Sequence, residues 1–253
     1  MDPAEKARLD HDALIAQCRP QECLRGDTPN FGGRCWTPDR VVETLSEFIT
    51  EERKEKIAAV VGGRTRHLAV MVEGLVNTGN VSAVMRTAEA LGLLDFHVVD
   101  YPGATYKVSE RTSIGAEQWL DVRTWHGLQP GIDWLREHGY RIVATHLDDA
   151  AVPLEQVDFS QPTALVFGNE LEGITPEMAE AADVTAYLPM SGFAQSFNIS
   201  VAAAMALHHA VNTAPRVSLS ESERVALTAD YYLRSVRRAD LILARKAEDQ
   251  RAQ

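Results

Sequence analysis

Between His67 and Met190 short apolar runs (LAVMVE, FHVVD, YRIVATHL, ALVFG and VTAYLPM) alternate with stretches of helical periodicity. Runs this continuous leave no polar face for water, so they predict strands buried on both sides. Helices between them predict a parallel sheet covered on each face. The expected fold class is α/β, a mostly parallel sheet flanked by helices. Ligands of such sheets bind beyond the carboxyl ends of the strands. Those ends are Glu73, Asp100, the stretch Thr145-His146-Leu147, the stretch Gly168-Asn169-Glu170 and the stretch Leu188-Pro189-Met190.

A chain of 253 residues holds one such domain plus extensions. The first fifty residues form helical patches around Ala4 to Cys18 and Arg40 to Ile49, separated by GDTPNFGG. After Pro215, the residues Leu227, Tyr231, Leu233 and Leu241 fall on one side of an amphipathic helix. The expected division is a helical extension over 1–52, a central domain over 53–213 and a second helical extension over 214–253. Cys18, Cys23 and Cys35 are odd in number and lack paired CxxC spacing, so reduced thiols are expected, not a disulfide framework or, with His11, a zinc site. No signal peptide and no run of about 18 apolar residues is present, which leads to the expectation of a cytoplasmic protein.

The balance of 25 Lys plus Arg against 36 Asp plus Glu gives a net charge of -11, so contact with a polyanion requires local patches. Two runs qualify: Arg53, Lys54, Lys56, Arg64 and Arg66, and Arg234, Arg237, Arg238, Arg245 and Lys246. Each also reads as the solvated face of a helix.

Three polar segments lie at or near strand ends. In NTGNVSAVMRTAEALG the stretch ending in Asn80 is expected to cap a helix with Val81, Val84, Met85, Ala88 and Leu91 on one face and Arg86 opposite. By itself Arg86 reads first as a solvated arginine, and Asn80 as a turn or cap residue. In ALVFGNELEGITPEM a buried strand ends at Gly168, the chain turns through Asn169 to Gly173, and Pro176 opens a helix; an ordinary turn with Glu170 in water fits as well. In LPMSGFAQSFNISVAAAMALHHAV, Ser191, Gly192, Gln195, Ser196 and Asn198 precede a helix that is apolar almost all round, the pattern of a buried helix. Polar groups at that place serve either the helix's free N–H groups or a ligand.

Taken together, NVSAVMRTAEALG, FGNELEGI and LPMSGFAQSFNISVAAA resemble the three ordered motifs of the SpoU family of RNA 2′-O-ribose methyltransferases, in the SPOUT superfamily. IVATHL resembles the TrmH branch, the tRNA guanosine-18 type. The resemblance spans roughly residues 54 to 211. It implies a C-terminal deep trefoil knot, an exception to the avoidance of threaded connections. It further implies a homodimer with a site built from two subunits, S-adenosyl-L-methionine as cofactor, no metal, and RNA, above all tRNA, as partner. Carried over position by position, it implies catalytic roles for Asn80, Arg86, Glu170, Ser196 and Asn198. Cofactor contacts fall on Thr145, Gly168, Leu188, Met190 and Phe197, and RNA contacts are expected at Arg53, Lys54, Arg64, Arg66, Arg237 and Arg238. At FAQSFN the chain departs from the pattern, because Phe193, Ala194 and Phe197 replace more usual aliphatic residues and alter the pocket's shape.

The activity this implies is 2′-O-methylation of guanosine 18 in the D-loop of tRNA. Methylation of rRNA, including the antibiotic-resistance type, and a non-catalytic RNA-binding module of the same fold are the alternatives. A Rossmann dehydrogenase or P-loop NTPase is excluded, since neither GxGxxG nor GxxxxGK[ST] follows a strand. Arg86 is expected to anchor phosphate and stabilise the growing oxyanion, because a guanidinium is not deprotonated in proteins. Asn80 and Glu170 are expected to hold Arg86, and Ser196 and Asn198 to orient the hydroxyl and the loop.

Overall fold

The computed structural model describes residues 30–31, 34–74, 77–100, 115–169, 172–194 and 196–249. The chain gathers into two compact units, one from 1–63 with 218–253 and the other from 64–217. The two extensions thus belong to a single unit, and the divisions fall at 63/64 and 217/218, against 52/53 and 213/214 expected from the sequence. His11, Cys18, Cys23 and the helix expected over Ala4 to Cys18 lie outside the described residues.

The terminal unit begins with a two-stranded hairpin of β1 (Asn30–Phe31) and β2 (Arg34–Cys35), followed by α1 (Pro38–Ser46) and α2 (Glu51–Gly62). Proline at the first turn of α1 suits a position whose N–H has no helical partner. The Thr50 hydroxyl accepts from the Arg53 amide to open α2.

The sheet unit runs β3 (Leu68–Glu73), α3 (Thr78–Ala90), β4 (Asp95–Asp100), β5 (Asp121–His126), α4 (Leu128–Glu137), β6 (Arg141–Thr145), β7 (Val152–Pro153), β8 (Thr163–Phe167), α5 (Pro176–Ala181), β9 (Val184–Tyr187) and α6 (Ile199–Thr213). Its seven strands form one sheet in the order β5-β4-β3-β8-β6-β9-β7, parallel at every pairing. The α/β class is therefore as expected, with the sheet wholly parallel. Side chains alternate between two cores. Leu68, Val70 and Val72 of β3, with Leu165 and Phe167 of β8, pack with α3 and α6, whereas Ala69, Met71, Ala164 and Val166 pack with α4 and α5. Strand β8 inserts between β3 and β6, so the strand order reverses at β3, where a parallel sheet opens a crevice at its carboxyl edge.

Strand β5 escapes the apolar-run criterion because it carries Asp121 and Arg123, both buried. These charges belong to a cluster at the amino edge of the sheet. Arg66 and Arg123 both donate to Asp95 Oδ1, at 2.6 and 2.9 Å, and Arg123 also donates to Asp121 at 2.9 Å. Burial alone would raise the Asp95 carboxyl, but the two guanidinium groups outweigh it and hold it below the usual carboxylate range. Next to it His97 is wholly buried, and its Nδ1 accepts from the Trp125 indole at 3.0 Å. Desolvation pushes His97 down to about 3, so it stays neutral.

The terminal unit resumes with α7 (Glu221–Ser235), opened by a reciprocal cap between Ser220 and Glu223, and α8 (Ala239–Asp249). The single amphipathic helix expected here is two. The break lies at Val236 to Arg238, and Arg238 has φ +59, the only positive φ outside glycine among the described residues. Leu227, Tyr231 and Leu233 are buried as expected, whereas Leu241, beyond the break, is exposed.

Candidate active site

The carboxyl ends of β3, β6 and β8 converge. The Thr145 hydroxyl, ending β6, donates to the Val166 carbonyl of β8 at 3.0 Å. After β8 the chain folds back on itself, with Asn169 N donating to Gly173 O at 2.7 Å and Gly173 N to Asn169 O at 2.9 Å. Gly168 is obligatory here, because a Cβ would collide with the backbone of Gly173 and Ile174. The Asn169 side-chain amide donates to Gly74 O at 2.9 Å, tying this turn to the end of β3. A cleft of about 740 Å³ opens beside it, with Glu73, His146, Asp148, Glu172 and Glu180 among its lining. Glu73 and His146 stand at strand ends expected from the apolar runs, whereas Asp148 and Glu180 carry no periodic signal of their own and were not singled out in the sequence.

The second element is α3. Its cap is Asn77, whose side chain accepts from Gly79 N at 2.9 Å, and not Asn80, which sits in the first turn. The buried face is Val81, Val84, Met85 and Ala88, and Arg86 is exposed on the other side, as the spacing predicts. Asn80 does not hold Arg86 within this chain. Six residues along an α-helix separate two side chains by about 9 Å of rise and 120° of rotation. Among the described residues Arg86 makes neither a hydrogen bond nor an ion pair, in contrast to the other arginines of the unit, Arg216 excepted. Arg64, Arg66, Arg123 and Arg136 are in ion pairs, and Arg141 donates to the Asp158 carbonyl.

The third element is the loop after β9. Leu188 packs against the core, while Met190, Ser196 and Phe197 are exposed. Asn198 caps α6, its Oδ1 accepting from Ser200 N at 3.0 Å and from Ser200 Oγ at 2.6 Å. Glu170 and Gln195 lie outside the described residues. Helix α6 is not buried all round. Ala203, Ala206, Leu207 and Ala210 face the core, but Val201 and Met205 are 48% and 44% exposed, and Phe193 in the loop before them is fully exposed. Apolar residues grouped outward in this way mark a surface that meets something.

Two of the expected RNA contacts do not fit that role. Arg64 is 2% exposed and its guanidinium is spent on Glu89 Oε1 at 2.7 Å and on the Glu89 and Leu93 carbonyls. Arg66 belongs to the buried charge cluster. A run of charge along a sequence does not reveal which members tertiary folding will consume. Arg237 and Arg238 are exposed at the α7–α8 turn. Lys54 pairs with Glu51 at 2.7 Å, and Arg53 donates to Ser235 Oγ at 3.3 Å.

Residues 67–208 match the model of the SpoU rRNA methylase family, a span that takes in NVSAVMRTAEALG, FGNELEGI and LPMSGFAQSFNISVAAA. Over 205 residues the chain is 35% identical to the tRNA (guanosine(18)-2'-O)-methyltransferase of Borreliella burgdorferi, an alignment covering 79% of this chain and 94% of that one. The solved TrmH/SpoU tRNA modifying enzyme of Aquifex aeolicus is similar in structure, with a TM-score of 0.66, 32% identity and coverage of 73% of this chain and 96% of that one. The SpoU methyltransferase AviRb of Streptomyces viridochromogenes, in complex with the cofactor AdoMet, superposes with a TM-score of 0.53 at 28% identity, covering 60% of this chain and 62% of that one.

Proposed function

The chain belongs to the SpoU rRNA methylase family, and on that premise we propose that it is an RNA ribose 2′-O-methyltransferase acting on guanosine 18 of tRNA. The observation that carries this reading is Arg86, exposed and unpaired among the described residues, at the position the family resemblance gives to the acceptor side. The residues around the strand ends fit S-adenosylmethionine. Leu147, Met190 and Phe197 are exposed apolar residues following strands β6 and β9, and the cleft at His146 and Asp148 is lined by carboxylates, which suits a ligand with an aromatic base and a cationic centre. When bound, this cofactor supplies an electrophilic methyl on a sulfonium and leaves as a neutral thioether.

Thr145, Gly168, Leu188, Met190 and Phe197 hold it. Arg86 anchors the acceptor phosphate and stabilises the oxygen as its proton passes to solvent water, and Ser196 and Asn198 orient the hydroxyl. Glu170, of the second family motif, holds Arg86. The chain between β8 and α6 forms the trefoil knot. Phosphate contacts fall to the terminal unit, at Arg53, Lys54, Arg237 and Arg238. Methylation of an unmodified tRNA transcript with labelled cofactor tests the assignment, the site being read by resistance to alkaline cleavage. The expected product is protected at position 18; protection confined to rRNA fragments would move the substrate and keep the reaction, and a methyl on a base would overturn both.

The active form is a two-fold dimer, with Val201 and Met205 of α6 and Phe193 at its interface. Light scattering should return twice the chain's 27.9 kDa, and Val201→Asp with Met205→Asp should bring it to the monomer value. A wild-type monomer at working concentration would remove the dimer from this reading.

A further inference from the structure

Two consecutive residues at the end of β3 hold both ends of the turn that follows β8. At one end Gly74 O receives the Asn169 side-chain amide at 2.9 Å. At the other, the Glu73 carboxylate accepts from Thr175 Oγ1 at 2.6 Å and from Thr175 N at 3.3 Å. Glu73 is 1% exposed, and a carboxylate is costly to bury unless its hydrogen bonds are made. Thr175 is also the N-cap of α5, its Oγ1 accepting from Met178 N at 3.2 Å. A hydroxyl has one proton, and here it is committed to Glu73, which leaves the lone pairs for the helix. The orientation of the cap is therefore dictated from β3. Just before the first tie Gly168 closely approaches the Gly173 backbone, and β3 itself leads into the helix that carries Asn80 and Arg86.

We infer that Glu73 is a positioning residue, which through Thr175 locks Gly173 to Thr175, and with them Asn169, in register with the end of β3 and so sets the cofactor-binding edge of the site. The inference rests on the methyltransferase reading for its catalytic consequence, but the lock itself does not. The chemistry of the pair accounts for the residue types. A shorter acid could not span the gap from the strand end without moving it, and an amide would lose the charge that strengthens both bonds.

The test uses the full chain with Glu73→Gln, Thr175→Val and Thr175→Ser. In the folded protein without ligand, hydrogen exchange at the Asn169 and Gly173 amides should accelerate in Glu73→Gln and Thr175→Val and remain near wild type in Thr175→Ser, which keeps both bonds. Displacing a reacting group by about 1 Å costs on the order of 10²-fold, and a partial loosening should weaken cofactor affinity by calorimetry, and raise the KM for cofactor, by about 10-fold. The apparent affinity for RNA should not move. Because the two residues act as one device, the double variant Glu73→Gln with Thr175→Val should be no worse than the worse single. Unchanged exchange in folded variants, or losses that multiply in the double variant, would overturn the inference. A wild-type chain that binds no cofactor would instead overturn the functional reading, while the exchange data still decide the lock.

Discussion

Replacing Arg86 by alanine should lower turnover by at least about 10²-fold, the loss typical of removing one donor aimed at developing negative charge. The affinity for S-adenosylmethionine should stay within about two-fold, because the role proposed for Arg86 lies with the acceptor and not with the sulfonium. The same variant should melt close to wild type. Arg86 is exposed and makes no ion pair among the described residues, and substitutions at such positions usually stay within about 0.5 kcal/mol. Arg86→Lys separates charge from shape, since lysine keeps the cation but not the planar fork that grips a phosphate at two points. Partial recovery by lysine is expected if phosphate anchoring dominates. A fall in cofactor affinity, or a lower melting temperature, would make Arg86 a structural residue of α3.

Acidification should unfold the sheet unit earlier than its surface carboxylates alone would. His97 is buried against Asp95, Trp125 and Trp134, within the field of Arg66, Arg123 and His138, and desolvation lowers it from 6.5 to about 3. For a base depressed in the folded state, the unfolded chain binds the extra proton between those two values. Stability is then complete above pH 6.5 and falls as the pH drops toward 3, by up to about 5 kcal/mol from this residue. Asp95, held low by its two arginines, pulls in the same direction, because the unfolded chain takes up a proton there before the folded one does. Denaturant midpoints measured from pH 7 to pH 4 should slope downward, and His97→Phe should flatten the slope while costing stability at pH 7 through the abandoned Trp125 indole. An unchanged slope in that variant would mean that His97 is protonated in the folded protein.

The strand ends and the helices next to them were legible because burial on both faces leaves a local mark. Glu73, Thr145, Gly168 and Met190 all stand at or just beyond the strand termini the apolar runs implied. Arg86 on the outer side of α3 follows from a period of 3.6 alone. What the sequence did not disclose depends on which distant segments meet. β5 was hidden because Asp121 and Arg123 are buried by pairing with Arg66 and Asp95, and a polar strand looks like a loop until its partners are known. The same pairing removed Arg66 from the basic patch to which its neighbours in sequence seemed to assign it. Val201 and Met205 looked like core residues because an apolar side chain carries no label for what will cover it. Glu73 looked like the polar end of a strand, since Thr175 is more than a hundred residues away.

The insertion of β8 between β3 and β6 also governs the order in which the chain can be completed. Leu68 pairs with Thr163, and each residue of β3 from Leu68 to Val72 waits for a partner 95 positions downstream. During synthesis β3, β4 and β5 can assemble as soon as they emerge, yet the inner edge of β3, LAVMV, then lies open as an unpaired apolar ladder. Strand β6 arrives without a seat of its own, because its neighbours β8 and β9 are both still to come. The centre of the finished sheet is thus filled only after strands on both of its sides have been made, and the nascent protein carries an aggregation-prone edge at the place where the candidate site will form.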